Sequence, residues 1–174
     1  KINCFPEIMV PLIGSIEEFI NQKNIINSIG NKINKKYNTK LNYLVGAMIE
    51  LPRACMIADK IAEHADFISF GTNDLTQTAF GFSRDDVSTF LPQYLQKNIL
   101  SHDPFSTLDV VGVGQLIDIA IKKTRSINPK IKIGICGEHG GDPESIAYFH
   151  KMKFNYVSCS PFRIPIAYLS AAKQ

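Results

Sequence analysis

Five short apolar runs, most of them followed by a stretch of helical period, restrict this chain to very few folds. They are Ile8-Met-Val-Pro-Leu-Ile13, Tyr43-Leu-Val-Gly-Ala-Met-Ile49, Phe67-Ile-Ser-Phe70, Ile131-Lys-Ile-Gly-Ile135 and Tyr156-Val-Ser-Cys159. Each is short and rich in β-branched or aromatic residues, as strands covered on both faces require. After the first run, Ser15-Ile-Glu-Glu18 has capping-box spacing, and Ile16, Phe19, Ile20, Ile26, Ile29 and Ile33 recur near helical period, which predicts a helix of three to five turns. After the second, Pro52 suits a first helical position and Ala54, Ala58, Ile61, Ala62 and Ala65 form an apolar stripe. The third leads to a short helix and then an irregular excursion from Gly81 to Val111, before Leu116, Ile117, Ala120, Ile121 and Thr124 resume helical spacing. Asp142-Pro143 and Pro165 open two further helices.

Strand followed by helix, repeated, is the signature of parallel βα units in an α/β protein. Two architectures satisfy it, an open doubly wound sheet and part of a parallel (β/α)8 barrel of TIM type. Both gather functional groups at the carboxyl ends of strands, so a site can be sought before choosing between them. No Gly-x-Gly-x-x-Gly turn follows any run, which disfavours a dinucleotide fold.

Three polar clusters fall at those ends. Glu50 closes the second run; Gly71, Thr72, Asn73 and Asp74 close the third; Cys136-Gly-Glu-His-Gly-Gly141 closes the fourth. Gly71 lets a ligand approach the backbone, and the next three residues offer a hydroxyl, an amide and a carboxylate where a plain helix cap needs one such group. Glu50 and Asp74 on neighbouring strands make a hard oxygen pair that suits Mg²⁺ or Mn²⁺ and fits zinc poorly. The alternative for Glu50 is an ion pair with Arg53. Cys136 should project its thiol at a strand end as a proton donor or acceptor, although a free cysteine is commonly a small buried hydrophobe. Cys4, Cys55 and Cys159 take that simpler reading. His139 is a proton shuttle, a phosphate contact or a structural donor, and Gly140-Gly141 before Asp142-Pro143 leads into a helix N-terminus that can favour an anion.

At 174 residues and 45% hydrophobic content the chain is one domain in size and globular. Its longest apolar runs are too short to span a membrane, and a net charge of +3, with lysines gathered between Lys32 and Lys40, does not imply nucleic acid. The four cysteines show no Cys-x-x-Cys pair or zinc-finger spacing, so a reducing cytoplasm fits. Lys1-Ile-Asn-Cys4 has neither an initiator methionine nor a signal pattern and reads as the interior of a longer polypeptide, whose leader could direct it to a plastid or other organelle.

Taken together, Met48-Ile-Glu-Leu-Pro-Arg53, Phe67-Ile-Ser-Phe-Gly-Thr-Asn-Asp-Leu-Thr-Gln77 and Gly134-Ile-Cys-Gly-Glu-His-Gly-Gly141 resemble the phosphoenolpyruvate-utilising enzymes along nearly the whole chain. Phe80-Gly-Phe-Ser-Arg-Asp-Asp86 and Val157-Ser-Cys-Ser-Pro-Phe-Arg163 are similar to the dikinase branch more than to phosphoenolpyruvate synthase or the sugar-transport phosphotransferase enzyme I. The resemblance implies that residues 1–174 are the C-terminal part, about five βα units, of a TIM-barrel domain that binds phosphoenolpyruvate (PEP) or pyruvate. It implies Mg²⁺ on Glu50 and Asp74, substrate contacts from Glu50, Gly71, Thr72, Asn73 and Asp74, and Cys136 as the acid/base that exchanges a proton with the substrate methyl carbon. The implied reaction makes PEP from pyruvate, ATP and phosphate by way of a phosphohistidine. The Thr-Ser-His segment and ATP-grasp domain that this needs are not in the chain, nor are the first barrel strands. The fragment alone is therefore expected to be inactive, with its open core covered by upstream chain or in a homodimer. Rival readings are a Mg²⁺-dependent citrate-lyase-like or aldolase-like barrel and a non-catalytic interaction module.

Overall fold

The structure, a computed structural model, describes residues 4–174. Its five strands, β1 (Glu7–Val10), β2 (Leu44–Ile49), β3 (Phe67–Gly71), β4 (Lys132–Cys136) and β5 (Tyr156–Val157), form one parallel sheet in the order β1-β2-β3-β4-β5. That order decides between the two architectures. A doubly wound sheet reverses direction at a switch point, whereas strands added one after another curl towards a barrel.

Every strand is joined to the next through helix. Between β1 and β2 runs α1 (Ile16–Tyr37), and between β2 and β3 lie α2 (Pro52–Met56) and α3 (Ala58–Ala62). Three helices separate β3 from β4: α4 (Thr72–Phe80), α5 (Val87–Gln96) and α6 (Val113–Ile127). A 3-10 turn at Glu138–Gly141 and α7 (Pro143–Lys151) lead to β5, and α8 (Ile164–Ala172) follows it. One set of strand side chains, including Val45, Ala47, Ile49, Ile68, Phe70, Ile133 and Ile135, is fully buried in a core with Phe19, Ala58, Ile61, Ile117, Ala120 and Phe149 of the helical layer. Because strand side chains alternate, Met48, Ser69, Gly134 and Tyr156 lie in register along the opposite face, which is the barrel interior.

The helices depart from expectation in three places. The capping box at Ser15 is formed, but α1 runs 22 residues, well past five turns, because Ile29, Ile33 and Tyr37 extend an i, i+4 stripe and Lys35 and Lys36 suit the negative helix end. Asn38, left-handed at φ 46°, stops it. The stripe after Pro52 is two five-residue helices that meet at Ile57, where ψ is 21°. The Gly81–Val111 excursion contains α5, with Pro92 inside it. Phe90 and Tyr94 of α5 pack edge-on against Phe82, 4.9 and 6.1 Å away, and this aromatic packing offsets the hydrogen bond that proline cannot make.

Among the described residues no strand pairs with the outer edge of β1 or β5. Ile8, Leu12 and Leu44 near the β1 side, and Phe162, Tyr168 and Leu169 in and before α8, are exposed large apolar side chains. No helix among the described residues is long and apolar enough to cross a membrane.

Candidate active site

The three polar clusters converge at the carboxyl ends of β2, β3 and β4. Glu50, one residue beyond β2, is 2% exposed, and its Oε1 accepts the Leu12 N–H at 2.6 Å. Leu12 is left-handed at φ 52°, unusual for a branched residue. The expected alternative, an ion pair to Arg53, is not formed, because the guanidinium donates instead to the carbonyl of Gly14. Glu50 lies close enough to Asp74 for the two carboxyls to act on each other. Burial pushes the Glu50 carboxyl above its ordinary range; the Leu12 N–H opposes this and the Asp74 charge adds to it.

Gly71 makes that approach sterically possible. A side chain there would run into the Glu50 carboxylate, Cβ of Glu50 and Sδ of Met48, so its absence lets Glu50 lean over β3. Thr72, Asn73 and Asp74 are the first turn of α4, the short helix expected after the third run. The buried Thr72 hydroxyl lies 2.7 Å from His139 Nδ1 and 3.5 Å from the Cys136 carbonyl, and Asn73 Oδ1 accepts the Glu138 N–H at 3.1 Å. Two of the three polar side chains thus hold protein, while Asp74 faces Glu50. Gly71 gives α4 no side-chain cap, so the leading N–H groups of the helix make no capping bond to a side chain.

Cys136 ends β4 directly beside Gly71 in register. Its thiol, half-buried, lies 3.6 Å from the Phe70 carbonyl. Burial pushes its pKa up, a contact with Ser69 works against this, and the charges of Glu50 and Asp74 reinforce it. Such a sulfur keeps its proton and can deliver it as an acid. Cys55, fully buried and pushed up to about 12, fits the simple reading given to it.

Two residues that the sequence reading left without a role stand beside the thiol. Ser69 is fully buried on the inward face of β3, and its hydroxyl lies between Cys136 and Tyr156 with no hydrogen bond of full geometry to either. Tyr156 reaches it because Gly134 intervenes without a side chain: a Cβ at 134 would fall inside the tyrosine ring. The signal was present as a serine in an apolar strand and a tyrosine level with a glycine, but only the register connects them. Below, Lys132 Nζ sits 4.9 Å from the Tyr156 ring centroid and bonds both oxygens of Glu7 at 2.6 and 2.9 Å.

The protein supplies two carboxylates, and among the described residues no group of three His, Cys, Asp or Glu side chains is placed to hold a metal. That donor set matches an ion that keeps several sites for ligand and water, as Mg²⁺ does, and does not match a closed zinc centre. A concavity of about 710 Å³ lies elsewhere, against β5, α7 and α8, lined mainly by apolar residues such as Phe149, Phe154 and Ile164. It has none of the carboxylates or the thiol of the mouth.

The family model described as PEP-utilising enzyme, PEP-binding domain, matches residues 1–174. Over 172 residues, 99% of the chain, the sequence is 56% identical to pyruvate, phosphate dikinase 1, chloroplastic, and 54% identical to pyruvate, phosphate dikinase 2, both of Oryza sativa. It is 53% identical over 173 residues to pyruvate, phosphate dikinase of Rickettsia bellii. The chain spans 18 to 20% of the length of these relatives. Among solved structures, a citrate lyase from Burkholderia xenovorans superposes with TM-score 0.58 at 13% identity, covering 97% of this chain and 49% of that one. The citrate synthase SbnG gives 0.53 at 17% identity, over 96% and 61%. These two likenesses concern the fold, and they agree with a partial barrel.

Proposed function

The chain belongs to the PEP-utilising enzymes, as PEP-binding domain, and from that premise we propose that it is the C-terminal part of the pyruvate-binding barrel of a pyruvate, phosphate dikinase. The whole enzyme would convert ATP, phosphate and pyruvate reversibly to AMP, pyrophosphate and PEP. Identity of 52 to 56% to proteins of that name favours this over PEP synthase or phosphotransferase enzyme I. ATP-grasp and phosphohistidine domains would lie in the remainder of a longer, homodimeric, cytoplasmic or organellar protein, since the relatives are about five times as long.

Glu50 and Asp74 would hold Mg²⁺, whose positive charge would stabilise the enolate oxygen of pyruvate. Gly71 and the first N–H groups of α4, at Thr72, Asn73 and Asp74, receive the substrate's oxyanionic end. Cys136 holds the proton that moves to or from the methyl carbon. The observation that carries the reading is the place of the Cys136 thiol, on the strand next to Gly71 in register and near the Glu50 and Asp74 carboxylates, whose charges help to raise its pKa. In PEP formation Cys136 first gives up its own proton to solvent and the thiolate then takes one from the methyl carbon; the enolate so formed attacks the phosphorus of phosphohistidine, breaking the P–N bond and leaving free histidine. In the reverse direction the thiol returns the proton.

The test uses the full-length enzyme. Cys136→Ala should abolish exchange of pyruvate methyl protons with D₂O while ATP still phosphorylates the histidine. Exchange at the wild-type rate would overturn the role of Cys136.

A further inference from the structure

His139 lies outside the reaction just described. It is fully buried, and both ring nitrogens are engaged within the protein: Nδ1 with the Thr72 hydroxyl at 2.7 Å and Nε2 with the Pro104 carbonyl at 2.8 Å. A carbonyl oxygen only accepts, so Nε2 carries the proton. In a neutral imidazole Nδ1 is then an acceptor, and the Thr72 hydroxyl must donate to it. A ring so enclosed has no lone pair or proton to offer a phosphate or to relay.

Neutrality is the favoured state. Burial lowers the pKa of His139, against a hydrogen bond to Pro104 and the charges of Asp142, Asp103 and Glu138, the groups that surround it from the α7 start, the excursion and its own loop. The Pro104 carbonyl is itself held in a built turn, since Asp103 accepts the Phe105 N–H at 2.8 Å and the Ser106 hydroxyl at 3.1 Å. The ring therefore joins three segments: the loop after Cys136, the first residue of α4, and the excursion before α6. A second tie runs parallel, from the Glu138 N–H to Asn73 Oδ1, and between them Gly137, at φ 123°, lets the loop pack onto Thr72 and Asn73 where a Cβ would stand 2.9 Å from the Thr72 hydroxyl.

Resting on the functional reading above, we propose that His139 is a positioning residue that acts through the Thr72 hydroxyl, locking the first turn of α4 to the Cys136 loop so that the oxyanion-binding N–H groups and the proton-transferring sulfur keep one fixed spacing. Without the Nδ1 acceptor the Thr72 hydroxyl has only the distant Cys136 carbonyl, and the α4 start is free to shift by fractions of an ångström. Substrate affinity is then lost although no group that touches substrate has been removed.

Asparagine and glutamine divide the two contacts. The Asn amide oxygen reproduces the reach of Nδ1 to Thr72, and the Gln amide N–H reproduces the reach of Nε2 to Pro104. In the full-length protein, His139→Gln should weaken Mg²⁺-dependent oxalate binding, measured by calorimetry, by about tenfold. His139→Asn should stay within about threefold of wild type. Thr72→Val should reproduce the His139→Gln loss, and the double variant Thr72→Val/His139→Gln should be no weaker than either single one, the non-additivity expected of partners in one contact. Near-wild-type melting temperature and circular dichroism report folding in each variant. If His139→Gln fails to fold, Thr72→Val against His139→Asn still decides, since only the former should bind weakly. Wild-type affinity in His139→Gln or Thr72→Val, or fully additive losses in the double variant, would overturn the inference alone. A wild-type enzyme that does not bind Mg²⁺ and oxalate would remove the functional reading and this inference with it.

Discussion

Gly134→Ala in the full-length protein asks whether the row Ser69, Gly134, Tyr156 sets up proton transfer at Cys136. A Cβ at 134 would stand 1.9 Å from Cζ of Tyr156, with two further ring carbons at 2.1 and 2.3 Å. Ordinary contact begins near 3.4 Å, so the ring must retreat by about 1.5 Å. Retreat takes the phenol away from Ser69 and disturbs the ring's contact with Lys132, whose Nζ is 4.9 Å from the centroid. Overpacking of this kind costs about 1–3 kcal/mol of stability. The effect on chemistry should be larger, since misplacement by about 1 Å commonly lowers a rate about 100-fold. Gly134→Ala should therefore slow pyruvate methyl-proton exchange into D₂O, followed by NMR, by about two orders of magnitude. Glu50, Gly71 and Asp74 lie beyond this row towards the mouth, so Mg²⁺-dependent oxalate affinity should change by less than about threefold. Histidine phosphorylation by ATP should be untouched. Wild-type exchange with a lowered melting temperature would refute the reasoning, because the ring would then have moved without consequence for the sulfur.

The carboxylate site gives a pH prediction. Burial raises the Glu50 carboxyl above its usual 4.5, so its charge opposes folding; this opposition is absent below the unfolded value and complete only above the folded one. Glu50→Gln should melt higher than wild type in EDTA at about pH 8, converge with it near pH 4, and lose Mg²⁺-dependent oxalate binding; equal melting throughout would contradict the burial argument. The Cys136 thiol is held protonated partly by Glu50 and Asp74. Mg²⁺ added alone should neutralise them and speed alkylation of Cys136 by iodoacetamide at about pH 8, with the exposed Cys4 unaffected as internal reference. No acceleration would mean that the ion is held elsewhere.

Much of the fold was legible because its strands are buried under helices and so keep continuous apolar runs. Val45, Ala47 and Ile49, or Ile133 and Ile135, announce themselves through composition alone. The choice between sheet and barrel was legible only through the family resemblance, because local sequence carries no record of strand order, and order is what excludes a switch point. Helix α5 was hidden by Pro92, a residue that argues locally against a helix and is tolerated here because Phe82, Phe90 and Tyr94 pack together. The length of α1 was obscured by its Asn-rich and Lys-rich end, where exposed polar residues look like loop although Ile33 and Tyr37 keep the helical step.

For the site, the sequence identified groups by chemical type and left their directions open. Glu50, Asp74 and Cys136 could be gathered because all three follow strands, and strand ends meet in either candidate fold. Thr72 and Asn73 were equally prominent as polar residues, yet their side chains serve the protein, one bonding His139 and the other the Glu138 N–H. What no side chain caps is their backbone, because α4 begins at Thr72 after Gly71. Ser69 and Tyr156 illustrate the converse. Neither belongs to a polar cluster, and they are 87 positions apart in a sequence that gives no hint of their meeting. Register puts Ser69 opposite Gly134 and Gly134 opposite Tyr156, and the missing side chain between them turns two lateral neighbours into a contact beneath the thiol. In a barrel interior, therefore, a glycine level with a large residue is a marker of which side chain crosses the sheet, and it is as informative about a site as the polar residues at the mouth.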